Sequence, residues 1–499
     1  MDQNMNIGRR MQLCVCDRTL TAELTTDYSM PDYQPEIRRL LRVIAAVMPP
    51  ATYVGAGSAE LSGTVRYDIV YAAPDGGLYS TSVSEEYGMS APLERDAEGE
   101  VVLVCDVVPD VVVSRVTAPR RLSIRTRLKA KVQGFGEKSV EEELNGEYAL
   151  GDLERLTGEV TCGAFAASGA EQFEVSEEIA VDGEGDLRIV SSSAEFCVTE
   201  MLAGEGTVSC RGDAAVKLLL CADGEGSVPF AVTRKIPFSE TVTVDGFCGG
   251  MSCFARAECG ELRTSIEGNK VYCDLRGYLC VFGQENRPVA YTKDIFSTAH
   301  QGDATYTTVE YPYALKCQFG NFTQSLYEPI ESFDIDGEAV ILDFSARAVA
   351  DSLVCDRGKW ALSGETKLWL LMKCGDEYAT KELSVPFRYE FDGEEGDLLG
   401  YSSDVRMMSG KARIDGGRLS ADCEMAVGVR LCTARRVEML TEATFSEPCE
   451  CYRECVVCFP RETDTLWDVA KKYHVSPERL RALNRGASDS GNGYLIVNE

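Results

Sequence analysis

The feature that most limits the fold of this chain is a sequence pattern that occurs three times at nearly constant spacing. In each copy two glycines six residues apart precede a run of strand-like residues, and the first glycines are Gly57, Gly206 and Gly358. These three are 149 and then 152 residues apart. So regular a period indicates tandem domains that descend from one ancestor.

Each copy of the pattern is typical of antiparallel β-structure. Apolar and polar residues alternate after the glycines, and acidic glycine-containing turns then follow, which together predict a β-hairpin. The turns span 74–77, 223–226 and 375–376. A second predicted hairpin follows in every copy, at 110–132, 261–282 and 404–431. Pro-Phe pairs at 237–238 and 386–387 join the two hairpins, whereas the first copy departs from this with Tyr87-Gly88-Met89. We therefore expect a mainly β protein with three antiparallel β-sandwich or barrel-like domains.

The chain length agrees with several domains. At 499 residues it is too long for one hydrophobic core, and its 44% apolar content is enough to build several. We predict an N-terminal extension at 1–26 that supplies the first strand of domain 1, β domains at 27–150, 171–300 and 325–447, a Cys-rich linker at 448–455 and a small βααβ module at 456–499. Before the first repeat, Pro31 and Pro35 predict an extended segment, and a short helical turn carrying Leu40 and Leu41 should follow.

The C-terminal module has clear helix signals. Thr463-Asp464-Thr465 can cap a helix start, and Ser476-Pro477 restarts the chain as an N-cap with proline at the first helical position. Apolar residues follow both starts at helical spacing, and apolar strands precede and close the module. This order resembles the LysM domain. The matching residues are Asp464, Thr465, Leu466, Trp467, Ala470, Tyr473, Val475, Leu480, Leu483, Asn484, Leu495 and Ile496. Thr463 stands where that family usually has Gly, and Val497 where it often has Pro.

The LysM resemblance implies a ligand groove between the loops at 463–467 and 484–493. Many relatives bind glycans that contain N-acetylglucosamine there, and others could dock a protein. The candidate partner- or glycan-binding residues are Asp464, Thr465, Leu466, Trp467, Asn484 and Arg485. Because Trp467 lies off the apolar stripe of its helix, we expect its ring to be partly exposed and to anchor a partner; the alternative is that it covers a strand edge inside the module.

The segment before the first repeat and the repeats themselves resemble the SPOCS domain, also called DUF3794. The resemblance rests on the Pro-acidic-Tyr-x-Pro-acidic-Ile stretch at 31–37, on the paired glycines and on the later Pro-Phe. Three such repeats followed by LysM are similar to the SipL-like spore coat morphogenetic proteins. This implies a coat scaffold in the mother-cell cytoplasm at the forespore surface. Its LysM domain would dock a coat ATPase, its other partners would be further coat proteins, and peptidoglycan is the alternative ligand.

Charge excludes some partners. Eighty acidic against fifty basic residues give a net charge of −30, which would repel nucleic acid and anionic membranes. Residues 455–499 contain six residues of each sign, so the whole acidic excess lies on residues 1–454. Nothing at the N-terminus resembles a secretory signal, and no apolar run reaches membrane-spanning length. We therefore expect a cytoplasmic protein without membrane insertion.

The sequence does not favour an enzyme. It has two histidines, His300 and His474, and no phosphate-binding loop or zinc-protease motif. We expect both histidines to be loop residues and no cofactor to be bound.

Four thiols between residues 449 and 458 are the strongest metal candidate. Cys455 and Cys458 have the spacing of a zinc half-site, and Cys449 and Cys451 could complete it. Packing of small apolar thiols and redox cross-linking are the alternatives, and we expect packing because 21 scattered cysteines fit a reducing compartment.

Overall fold

The computed structural model describes the chain except residues 1–9, 56, 96, 140–141, 183–185, 223–226, 334, 336–337, 450–455, 462, 485–493 and 499. Three β units form a body, which we define as residues 10–449. A small head, defined as residues 456–498, follows it. The predicted fold class, with three antiparallel β units and a βααβ module, is confirmed.

The first unit is a sandwich of two antiparallel sheets. Its strands are β1 (Arg10–Ser29), β2 (Arg39–Val47), β3 (Ala51–Gly55), β4 (Ser58–Ala72), β5 (Leu78–Pro92), β6 (Glu98–Ala118) and β7 (Arg121–Ser139). β7 lies between β1 and β6, while β4 lies between β5 on one side and β2 with β3 on the other. Alternating side chains from both sheets, Tyr67 and Ile124 among them, meet in one core.

The other two units repeat this strand order. After β8 (Glu143–Gly146), the second unit has β9 (Leu153–Ala180), β10 (Leu187–Gly204), β11 (Thr207–Ala222), β12 (Phe230–Thr243), β13 (Ser252–Glu267) and β14 (Lys270–Ser297). The third has β15 (His300–Pro329), β16 (Val340–Asp356), β17 (Lys359–Cys374), β18 (Glu377–Asp392), β19 (Asp397–Asp415) and β20 (Arg418–Pro448). In both, the last strand pairs with the first and the fifth, and the three remaining strands pair in sequence order.

The paired glycines of the repeat have two different roles. The first glycine of each pair has a positive φ, a conformation that favours glycine. It lies at the turn before the central strand of its sheet, which is β4, β11 or β17. These glycines are Gly57 (81°), Gly206 (67°) and Gly358 (77°). The second lies across from an aromatic residue whose ring is within 3.0 Å of where a Cβ would stand. These pairs are Gly63–Tyr87, Gly212–Phe238 and Gly364–Phe387. Tyr87 thus takes in the first unit the place that Phe takes in the others.

Equivalent residues from the three units meet in one apolar cluster. Each unit contributes the residue at the β-bulge of its second strand and a residue of its central strand. The bulge residues are Leu41, Val190 and Leu342, and the central-strand residues are Val70, Leu219 and Leu371. Because the contributing positions correspond, the units are arranged around an approximate threefold axis. The body is therefore one packed assembly.

Buried charges from different units pair beside this cluster. The Asp343 carboxylate of the third unit accepts a hydrogen bond from Arg42 of the first (Nη1–Oδ2 2.7 Å) and pairs with Lys217 of the second (Nζ–Oδ1 2.5 Å). Burial alone would raise the pKa of Asp343, but the Lys217 and Arg42 cations lower it to about 2. A second network joins Arg256 to Asp106 of the first unit at 2.6 Å. Each unit thus neutralises charge that another unit buries.

The structure differs from the sequence in two places. The predicted helical turn at Leu40 and Leu41 is strand β2, because the bulge at Leu41 turns that side chain into the three-unit cluster. Strands β9 and β15 begin at Leu153 and His300, whereas the predicted second and third domains begin at residues 171 and 325. The predicted limits therefore left the first part of each strand outside its domain. Consecutive residues such as Cys162 to Phe165 are buried there between units, so the usual alternation of a half-exposed strand is lost.

Candidate functional site

The head contains four elements around a small core. They are β21 (Val456–Cys458), α1 (Leu466–Lys472), α2 (Pro477–Leu483) and β22 (Leu495–Asn498), and the two strands pair antiparallel. Apolar residues from every element form the core: Cys458, Leu466, Val469, Ala470, Leu480, Leu495 and Val497. Among the described residues, no helix is long and apolar enough to cross a membrane.

Both helix starts have the predicted caps. The Thr465 hydroxyl accepts from the Asp468 backbone N–H, and the Asp468 carboxylate accepts from the Thr465 backbone N–H, which forms a capping box. Ser476 caps α2 ahead of Pro477. Asp464 accepts from the Arg461 backbone N–H at 2.9 Å and tightens the loop before α1. These hydrogen bonds fix the first of the two loops that the LysM resemblance implies for ligand binding.

Asn484 holds the end of α2 to the closing strand. Its amide nitrogen donates to the Leu480 and Ile496 carbonyls at 2.8 and 2.7 Å, and its Oδ1 accepts from the Ile496 N–H at 2.7 Å. This candidate binding residue is therefore engaged inside the head, and Leu466 is buried in its core. Arg485 lies outside the described residues.

Trp467 packs against the body. Its indole Nε1 donates to Asp294 Oδ2 at 2.8 Å, and its ring lies edge-on to Phe296 with centroids 4.9 Å apart. Phe296 is 4% exposed and belongs to the head's core cluster, although it lies on β14 of the second unit. Trp467 is half-buried, as expected for a partly exposed ring, and its covered part lies against both the head core and the body. Its role as an anchor for a partner stays a prediction.

Asp294 is the centre of the contact between head and body. Its Oδ1 pairs with Lys471 Nζ at 2.6 Å and accepts from the Tyr306 hydroxyl at 2.6 Å. Partial burial alone would raise the pKa of Asp294, but hydrogen bonds from Lys471, Trp467 and Tyr306 hold it below its usual value. The carboxylate is thus kept ionised while it joins the two parts of the chain. We call Asp294, Phe296 and Ser297 the mount.

His474 completes the contact with the mount. It has a φ of 52°, and its Nδ1 lies 2.8 Å from the Ser297 carbonyl oxygen. The predicted loop position of His474 therefore also contacts the body. Nothing in the local sequence around Asp294 points to the mount, because its partners lie more than 170 residues further along the chain.

The cysteine cluster is only partly described. Cys458 is buried in the head core, and the Cys449 N–H donates to the Ala299 carbonyl at 2.8 Å, while Cys451 and Cys455 lie outside the described residues. Within the described chain, no three His, Cys, Asp or Glu side chains are placed to share a metal ion. Burial raises the pKa of thiols elsewhere in the body, to about 12 at Cys197. Such thiols stay protonated and pack as small apolar groups.

Comparison with protein families identifies the head. The LysM domain family matches residues 461–491. The chain carries a C-terminal LysM domain. Neither the curated proteins nor the solved structures gave a match to the chain. The LysM head suggests binding of peptidoglycan or a related glycan. Of the loops expected to form its groove, 463–467 lies beside the mount, and 485–493 lies outside the described residues.

Proposed function

We propose that this protein is a non-enzymatic scaffold in the assembly of a bacterial spore coat, and that its LysM head docks the coat to the ATPase on the forespore surface. The observation that carries the proposal is the fixed attachment of the head. Asp294 and Phe296 hold α1 against the second unit, so the body presents the head in one orientation. A scaffold that joins two layers needs its docking module held in this way.

The body supports the same proposal. Its three units share one strand order, and each has the paired-glycine hairpin on which the resemblance to SPOCS repeats partly rests. Their common core and interlocked charges make one rigid carrier, with outer sheet edges at which other coat proteins could add strands. The protein would act in the mother-cell cytoplasm without catalysis or a cofactor.

Binding of N-acetylglucosamine-containing glycan is the second candidate, and the LysM family match favours it. Asp464 and Thr465 stay at least partly accessible at the start of α1, where the family's groove is expected. In this alternative the body would hold the head toward peptidoglycan in the wall or cortex. The two candidates share a ligand-binding head and differ in the chemistry of the ligand.

One experiment separates the two candidates. Full-length protein and a version that ends at residue 455 are incubated with the purified coat ATPase and, in parallel, with purified peptidoglycan. The scaffold proposal expects the full-length chain to retain the ATPase and the shortened chain to lose it. Retention on peptidoglycan alone, with the same dependence on the head, would establish glycan binding instead.

A further inference from the structure

The two strands of the LysM head are apolar along both faces. The runs 456–459 and 494–497 contain no charged or small polar residue apart from the Tyr494 hydroxyl and the Cys458 thiol. Continuous apolar runs are typical of strands covered on both sides. In the structure the helices cover one side, where Cys458, Leu495 and Val497 are buried. The other side lacks a second layer within the described chain.

The uncovered side forms a single apolar patch, which we call the sheet patch. Val457 is 46% exposed, Phe459 78% and Tyr494 65%, and Ile496 is half-buried. Val457 pairs directly with Ile496, and Cys458 pairs with Leu495. Phe459 and Tyr494 come next along the two strands, so their side chains lie on the same side as those of Val457 and Ile496. Opposite residues on paired strands lie about 5 Å apart, so the four side chains adjoin. Contiguous exposed apolar surface of this kind marks an interaction site.

We propose that the sheet patch binds the sheet patch of a second copy of this chain. Charge is the argument for this occupant. Residues 1–454 carry the full net charge of −30 and repel those of a second copy, whereas residues 455–499 contain equal numbers of acidic and basic residues. Copies can therefore approach with least repulsion through their heads, where the apolar patch lies. The contact supplies the missing second layer as a small face-to-face sandwich.

The geometry of the patch suits a twofold contact. In such a dimer the same surface is used by both copies, so a patch must complement itself. A strip with two aromatic and two aliphatic residues does so when Phe459 packs against Tyr494 of the second copy, since aromatic pairs are favourable in offset or edge-on arrangements.

The size of the patch sets the expected strength. Two aromatic and two aliphatic side chains bury on the order of 400 Å² per copy. Stable interfaces bury about 800 Å² per partner, so the dimer should be weak, with a dissociation constant on the order of 10–100 µM. A weak contact of this kind becomes effective where many copies are held side by side, as in an ordered protein layer.

Sedimentation equilibrium on the full-length protein tests the proposal, from about 1 to about 300 µM with reducing agent present. We expect reversible dimer formation in the wild type and its loss in the Phe459→Ser, Tyr494→Ser double variant. The matched control is Val111→Ser with Val113→Ser, which removes two exposed apolar side chains, 39% and 58% exposed, from the first unit. It should dimerise like the wild type.

The proposal is overturned if the wild type stays monomeric over this range, or if the Phe459, Tyr494 variant dimerises unchanged. It is also overturned if the wild type does not self-associate and the variant loses binding to the coat ATPase or to peptidoglycan. The patch would then bind another ligand. Its outcome is independent of the proposed function, because a monomer that retains the ATPase through its head leaves that function intact.

Discussion

The contacts among the three units and the contact of the head with the body differ in how far their charged side chains are exposed to solvent. Between units, Asp343 is 1% exposed, and its partners Arg42 and Lys217 are 10% and 12% exposed. At the mount, Lys471 is 40% exposed and Asp294 18%. A half-exposed ion pair can open locally because water then solvates both charges, whereas a charge buried between units cannot lose its partner at low cost while the units stay together.

This difference distinguishes a stronger contact, which holds the units together, from a weaker contact, which holds the head in place. Separating the units would expose the apolar cluster around Leu219 to water and break the ion pairs of Asp343 with Arg42 and Lys217. Releasing the head removes the contacts of Phe296 with the head core, the hydrogen bonds of Asp294 to the head and the contact of His474 with Ser297. We expect the body to unfold as one unit and the head to detach at lower cost.

The largest effect is expected from Asp343→Ala. The substitution leaves Arg42 and Lys217 buried side by side without their shared anion, which should lower the free energy of unfolding by about 3–5 kcal/mol. Urea unfolding followed by tryptophan fluorescence measures it. The matched control, Asp110→Ala, breaks an exposed pair with Arg127 and should cost about 0–1 kcal/mol. Equal losses in the two variants would show that the buried pair does not hold the units together.

The pH dependence of stability tests the same carboxylate. The pKa of Asp343 is lowered to about 2 in the folded protein, against about 3.9 for an unfolded Asp. A carboxylate with a lowered folded pKa contributes stability that is fully present above the unfolded value and is lost as pH falls through the folded value. The stability difference between wild type and Asp343→Ala should therefore be constant near neutral pH and shrink between about pH 4 and 2. A difference that grew in acid would contradict the assignment.

The sequence predicted those features of the head and the units that depend on residues close together in the chain. Caps at Thr465 and Ser476 and the hairpin glycines rest on neighbouring residues, so the head helices and the strands of each unit could be expected. The contact between Asp294 and Trp467, and that between Asp343 and Lys217, join residues more than 120 positions apart and follow no periodic pattern. The Pro-Phe pairs and the departure at Tyr87 are visible in the sequence, but only the pairing of the strands shows that these aromatic residues lie across from the second glycine.

A smaller effect is expected from Asp294→Ala, which tests the other half of the comparison. Trp467 and Lys471 lose their acceptor, so the head should detach more often while the body keeps its stability. We expect a loss of about 1–2 kcal/mol in the free energy of head docking, because the partners are half-exposed. Hydrogen exchange in α1 would report it as faster exchange.

The control for this variant is Asp274→Ala, which removes another carboxylate of β14 that accepts from Ser176. It should leave exchange in α1 unchanged. If Asp294→Ala instead lowered the unfolding midpoint of the body as Asp343→Ala does, the head would be part of the same cooperative unit, and the contrast would be lost.

The smallest effect is expected from Thr465→Ala, which weakens the head itself. It removes the hydroxyl that accepts from the Asp468 N–H, and loss of such a cap costs about 1 kcal/mol. Because the head has its own core, the loss should appear in the exchange of α1 and not in the urea unfolding of the body. Thr463→Ala, at an exposed position two residues earlier, is the control and should change neither. If Thr465→Ala changed the unfolding of the body, the mount would have to couple the stability of the head to that of the three units. The half-exposed contact between head and body would then couple its two parts as strongly as the buried contact couples the units.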